Sequence, residues 1–472
     1  MARRTTTAAT APSTIAAACL FLATLTHAID PMWLQSSYSG GENPPGWQEG
    51  DSPGQTVFLT DGGSDVSGNY QLPSCPTILI GSAQVNGDPD SGWQGLPTVV
   101  GMDLARFPLA GYGDAVLPYY IERGKNTMNI KRALVVQPGK SRDAWKYGNL
   151  ARNSMICAAA NDSAPVNMDE VLVTAPMWFS DADQAAGAVG ETDVYFKSNR
   201  WYEGGMSRGP GDVEISSVTA LDQFIGSFMN REVYPNLETV VVLGHSLGAQ
   251  FAQRYALMRD AQDGDDRVRY WIGNPGSFAW LTTARPETIQ SSCADSYNAW
   301  PYGGNATDPI RQFPSTFKDE FEGDWSGVVS RYLTRTLRHA QGEADDGPGD
   351  THCEAQAQGS THLERGQNFQ SMLECMDRGR PGNIVFDYIP DTSHQDYPMM
   401  AHPLSQYRLF LETDTSTGDA TVGDEATCNA ATTTTVGDDD DDDNNGAAGR
   451  GRTMGAWTIA AGMALGAVTV GW

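Results

Sequence analysis

From residue 132 to about residue 390 the chain alternates between short apolar runs and longer stretches whose apolar positions recur at helical spacing. The runs are residues 133–136 (Ala-Leu-Val-Val), 170–175, 240–243, 268–272 and 383–389. They are short and rich in β-branched and aromatic residues, which predicts buried strands. Between them, Val218, Leu221, Phe224, Ile225 and Phe228 form one face of a helix that Ser216 or Ser217 would cap. Leu247, Phe251 and Tyr255 make a second helical stripe, and Phe369, Met372, Leu373 and Met376 a third. Residues 333–342 fit either pattern: Leu333, Leu337 and Ala340 are interspersed with polar residues as in a strand, yet residues 331–341 are good helix formers. Strands alternating with helices predict an α/β fold, a mostly parallel sheet with helices on both faces. Residues 29–130 read differently. They are rich in Gly, Pro, Asn, Asp and Ser, with short apolar runs at 56–59, 77–80 and 97–100. This predicts an N-terminal β extension packed on a core that begins at residue 131.

The run at 240–243 leads directly into Gly244-His245-Ser246-Leu247-Gly248, and the second helical stripe follows at once. A serine in such a strand-to-helix turn is held in a strained backbone conformation that projects its Oγ above the sheet. The two glycines avoid the Cβ atoms that would collide with the turn. The chain holds its own control: Gly205-Met206-Ser207-Arg208-Gly209 has the same G-x-S-x-G spacing, but no strand precedes it and no helical pattern follows directly. Context selects Ser246 and leaves Ser207 as an ordinary turn residue. With that context, residues 132–403 resemble a secreted, esterase- or lipase-like serine hydrolase of the α/β-hydrolase superfamily.

The resemblance implies an order along the chain: nucleophile, then acid, then histidine, each after a successive strand. Of seven histidines, only His394 and His402 follow the last apolar run, and His394 stands five residues beyond it, where the family carries its base. His402 is the alternative. The acid should follow the ambiguous segment 333–342; Asp345 in Gly-x-x-Asp spacing is the first choice, with Asp346, Glu343 and Asp350 as alternatives. The oxyanion would be met by the N–H of Leu247, next to the nucleophile, and by a donor in the loop after residues 133–136. The family often has His-Gly there; this chain has Gln137, Pro138 and Gly139, which makes Lys140 N–H the expected donor. Insertions at the position of residues 278–330 form lids in the superfamily, and this one carries Trp280, Trp300, Tyr302, Phe313, Phe317, Phe321 and Trp325. Those rings suit either a substrate pocket or ordinary packing of lid on core.

The ends and the charge place the protein rather than define its chemistry. Residues 1–28 carry Arg3 and Arg4, an apolar core at 15–25 too short to span a bilayer, and Thr26-His27-Ala28 before a cleavage point: a signal peptide. Residues 412–445, with Thr432 to Thr435 and six consecutive aspartates, read as a disordered acidic stalk. Residues 446–472 end in 19 apolar and small residues after small residues suited to lipid attachment, the pattern of an anchor signal; a retained membrane helix is the alternative. The chain carries a net charge of −27, and loss of both signals takes four arginines with it to give −31. Such a surface excludes nucleic acid as a natural partner. Six of the seven cysteines lie outside the signal peptide and allow three disulfides of unknown pairing. Asn161 and Asn305 begin glycosylation sequons. No metal motif and no cofactor is implied. The sequence therefore predicts an extracellular, membrane-tethered enzyme for a small-molecule or lipid ester, of undefined oligomeric state. A silent hydrolase fold serving adhesion is the competing expectation.

Overall fold

Eight strands make the central sheet of the computed structural model, which describes residues 86–99, 101–159, 161, 166–306, 313–376 and 379–413. They are β1 (Met102–Pro108), β2 (Val116–Glu122), β3 (Arg132–Gln137), β4 (Val171–Pro176), β5 (Thr239–His245), β6 (Val268–Gly273), β7 (Thr336–Gly342) and β8 (Ile384–Ile389). Their order across the sheet is β1-β2-β4-β3-β5-β6-β7-β8. The β1–β2 and β2–β4 pairs are antiparallel, and every pair from β4 to β8 is parallel. The expected signal peptide, most of the stalk, the anchor signal and Cys19, Cys75 and Cys428 lie outside the described residues.

Alternation of side chains explains why the sheet is covered on both faces. In β5, Val240 and Val242 join one apolar cluster while Val241 and Leu243 join the other; in β3, Ala133 and Val135 oppose Leu134 and Val136 in the same way. The first cluster is completed by α2 (Ser217–Phe228), α3 (Leu247–Met258), α5 (Trp325–Leu333) and α6 (His362–Glu374), the second by α1 (Ala144–Ala159) and α7 (Asp396–Ala401). Each fully buried Val or Leu in these layers contributes about 1.5–3 kcal/mol, so burial on two faces outweighs any local preference. The ambiguous segment resolves into both readings: α5 runs to Leu333 and β7 starts at Thr336.

Two expected boundaries need correction. The N-terminal β extension, expected at residues 29–130 to pack on a core that begins at residue 131, supplies β1 and β2, which are strands of the central sheet itself. Antiparallel pairing of β2 with the end of β4 makes them part of the same hydrogen-bonded ladder. Of the run at 97–100, the described residues 97–99 form no continuous strand: Val99 makes a single bridge and Pro97 offers its carbonyl to Tyr120 Oη at 2.7 Å, while the runs at 56–59 and 77–80 lie outside the described residues. At the other end, the stalk is expected from residue 412, yet Glu412 is buried. Its carboxylate accepts from Arg338 Nε at 2.9 Å and from Arg408 Nη1 at 2.7 Å, and lies 3.4 Å from Arg269 Nη1. Its carbonyl accepts from Arg132 Nη2 at 2.5 Å. One residue thus gathers the arginines at the starts of β3, β6 and β7.

The insertion at 278–330 contains α4 (Ser315–Gly323) and the start of α5. Trp280, Trp300, Phe313, Phe317 and Phe321 all sit in the first apolar cluster, so these rings pack on the core. Among the described cysteines, Cys157 and Cys375 each belong to a disulfide, whereas Cys293 and Cys353 are free thiols.

Candidate active site

Ser246 follows β5 and precedes α3 with φ 58° and ψ −122°, a conformation few residues other than glycine adopt. The flanking glycines are required by space. A Cβ on Gly244 would stand 2.2 Å from the Gly248 carbonyl group, and one on Gly248 would stand 2.6 Å from the carbonyl oxygens of Gln137 and Pro138. The strain at Ser246 costs about 1–3 kcal/mol. It is held by Ser246 N–H donating to Gly273 O at 2.9 Å and by Ser246 O accepting from Ala249 and Gln250. The serine is half-buried and stays within reach of solvent.

His394 lies in the loop after β8, and its Nε2 is 2.9 Å from Ser246 Oγ. Its Nδ1 is 2.8 Å from Oδ2 of Asp345, which follows β7 and is fully buried. Burial alone would raise the Asp345 carboxyl; contacts with His362 and His394 outweigh it and hold the group well below the usual carboxylate range. The other acids considered do not reach the imidazole chain. Glu343 and Asp346 are exposed, and Asp350 accepts from Tyr302 Oη and Ser277 Oγ and pairs with His352. His402 caps the short helix Pro403–Gln406, its Nδ1 accepting from Leu404 N–H at 3.3 Å. Ser207, expected in a turn, lies instead in the short strand Ser207–Gly209, where its Oγ donates to Val213 O and accepts from Ile215 N–H.

This is the α/β-hydrolase fold. The strand order, with its antiparallel entry and parallel remainder, and a serine at positive φ between β5 and α3 decide it. No protein-family model matches the chain, and neither does any curated protein. Among solved structures it is similar to poly(aspartic acid) hydrolase-1 from Sphingomonas sp. KT-1, at 20% identity and TM-score 0.43, over 66% of this chain and 98% of that one. It is also similar to a poly(3-hydroxybutyrate) depolymerase from Bordetella parapertussis, at 16% identity and TM-score 0.43, over 65% and 89%. A siderophore hydrolase from Aspergillus nidulans is 10% identical with TM-score 0.36, over 66% and 95%.

In this α/β-hydrolase fold the loop after β3 runs against the first turn of α3, one residue beyond Leu247. The Gln137 and Pro138 carbonyls run against Gly248, and Gly139 is buried while Lys140 is exposed. Among the described residues, neither Leu247 N–H nor Lys140 N–H donates to a protein acceptor. The loop is fixed by Arg142, at φ 60° and buried, which donates to both Asp183 oxygens at 2.6 and 2.9 Å. The Gln137 side chain is occupied, its Oε1 accepting from Trp178 Nε1 at 2.8 Å and its Nε2 donating to Val135 O at 3.2 Å.

Asn274 and His362 take part in the site although the sequence pattern gives neither a role there. Asn274, buried at the end of β6 with φ 45°, donates from Nδ2 to Ser393 O at 3.0 Å and accepts Gly342 N–H at 2.8 Å, tying the base loop to the acid strand. Gly342 permits that approach, since a Cβ there would stand 2.3 Å from Thr392 O. His362 opens α6 with its Nδ1 3.1 Å from Asp345 Oδ1 and its ring stacked on that of His394, centroids 4.1 Å apart. The turn Gly273-Asn-Pro-Gly-Ser277 was visible as a strand end, but nothing in one sequence ties Asn274 to residue 393. Asp345, His362 and His394 are also a set of donors close enough for a metal ion. Behind the serine, buried His245 has its ring 4.7 Å from that of His394, and burial lowers its imidazole to about 3. It stays neutral. Asn161 and Asn305 are both exposed.

Proposed function

We propose that the chain is a serine hydrolase acting on carboxylic esters of small molecules or lipids through an acyl-enzyme. The observation that carries this reading is the continuous relay from Ser246 Oγ through His394, at 2.9 Å, to Asp345, at 2.8 Å, with the half-buried serine held at a strained turn. Ser246 attacks the carbonyl carbon while His394 Nε2 takes its proton. Asp345 accepts the Nδ1–H, which selects the productive tautomer and stabilises the imidazolium. Leu247 N–H and Lys140 N–H receive the oxyanion, with the N-terminus of α3 adding its positive end. His394 then protonates the leaving alkoxide, and water, deprotonated by the same imidazole, releases the acid. No step calls for a cofactor.

The test is labelling with a fluorophosphonate, followed by turnover of 4-nitrophenyl esters of increasing acyl length. Ser246→Ala should abolish the label and lower kcat by about 10³-fold or more while leaving secretion intact. A Ser246→Ala protein that still hydrolyses the esters would sink the reading. The signal peptide, the glycosylation at Asn161 and Asn305 and the C-terminal anchor belong to the same proposal, with the enzyme displayed on the extracellular side of a membrane.

A further inference from the structure

Asp345 is a fully buried carboxylate touched by two imidazoles, and the serine hydrolase mechanism uses only one of them. Oδ2 serves His394. Oδ1 and His362 Nδ1 are 3.1 Å apart, yet the N–H is not aligned on the oxygen, and both atoms otherwise lack a hydrogen-bond partner among the described residues. A buried donor and acceptor left side by side unpaired have given up water without replacing it, so a small rotation of the ring that closes the bond is favoured. His362 is caged for this purpose. Its backbone N–H donates to Gly347 O at 3.0 Å, and Thr361 caps α6 by accepting Glu364 N–H at 3.1 Å. A Cβ on Gly349, at φ +55°, would stand 2.4 Å from His362 Nε2. The segment between Asp345 and His362 therefore folds back so that the acid meets the imidazole.

We infer that His362 is a positioning residue: its Nδ1–H occupies Oδ1 of Asp345, so the carboxylate keeps Oδ2 turned to His394 while the stacked ring shields that bond from water. The inference rests on the serine hydrolase reading. The charged and titratable groups facing this cluster are Asp345, His394, Arg365 on α6, His245 at the end of β5, and Asp396 at the start of α7. With the His362 donor gone, Asp345 keeps one partner and draws harder on the His394 proton. The base then becomes neutral only at higher pH.

The experiment compares His362→Phe, which keeps the ring stack and removes the donor, with His362→Asn, whose amide restores a donor near the Nδ1 position. For His362→Phe, kcat should fall by about 10-fold or more, with KM within about twofold and the acid limb of kcat/KM moved up by about half a pH unit. His362→Asn should recover most of the turnover rate and the original limb. Turnover and pH profile of His362→Phe matching the unsubstituted enzyme would overturn the inference, and so would equal losses in both variants with an unmoved limb. A measurement on the unsubstituted protein needs no variant to fold: ¹⁵N shifts of its histidines should show His362 neutral with the proton on Nδ1, and a proton on Nε2 instead would also overturn it. Failure of the hydrolase reading would look different, as ester turnover surviving Ser246→Ala.

Discussion

His339 and His245 are completely buried imidazoles held neutral by the protein, each lowered to about 3, chiefly by burial. His339 lies in β7 with its ring stacked on Phe386 at 4.5 Å and 8°. In the unfolded chain both would take a proton near pH 6.5, so between about pH 6.5 and 3 the unfolded state binds more protons and stability falls as pH falls. Asp345 and Asp396 act in the same direction at lower pH, because carboxyls held below their unfolded value lose their contribution as they protonate. His339→Phe keeps the stack and removes one titrating group. Urea midpoints measured from pH 7 to pH 4 should therefore decline less steeply for this variant than for the parent. An equal decline would mean that His339 is charged in the fold.

Between elements, the site depends on a few backbone-to-side-chain ties across strand ends. Asn274 fixes both the base loop and the start of the acid loop, so Asn274→Ala should lower kcat by about 10-fold or more with little change in KM. Steady-state kinetics on a soluble ester would check this, and a change confined to KM would contradict it. Lys146 on α1 and Asp396 on α7 make a second tie, a buried ion pair at 2.8 Å behind the base loop. Lys146→Met leaves Asp396 buried and uncompensated, a loss of about 3–5 kcal/mol in urea unfolding. Replacing both partners by apolar residues should recover much of it.

At the scale of the whole molecule, the Glu412 carboxylate closes the domain against Arg269 and Arg338 from two strands and Arg408 from the last turn. Glu412→Gln leaves those charges buried together and should reduce stability by about 3–5 kcal/mol, whereas a chain ended after residue 413 should keep its thermal midpoint. Thermal unfolding of the two proteins separates these outcomes. Beyond that residue, a phosphatidylinositol-specific phospholipase should release the protein from cells if a lipid replaces the C-terminal tail; a protein that stays with the membrane would indicate a retained helix.

The alternation of apolar runs and helical stripes pointed to the class of fold, and the strand–turn–helix context around Ser246 picked one of two equal pentapeptides. Both are local matters, since periodicity and the steric needs of a tight turn are written in neighbouring residues. Residues 102–108 and 116–122 were not recognised as sheet strands, because an edge hairpin shows itself only by the partner it pairs with. His362, Asn274 and Glu412 belong to the same case. Their roles come from contacts with residues distant along the chain, at Asp345, Ser393 and the clustered arginines. Sequence patterning determined that a buried parallel sheet would form and where it would turn sharply; only its closure in space decided which polar side chains met above it, because such meetings depend on distance through the fold and not along the chain.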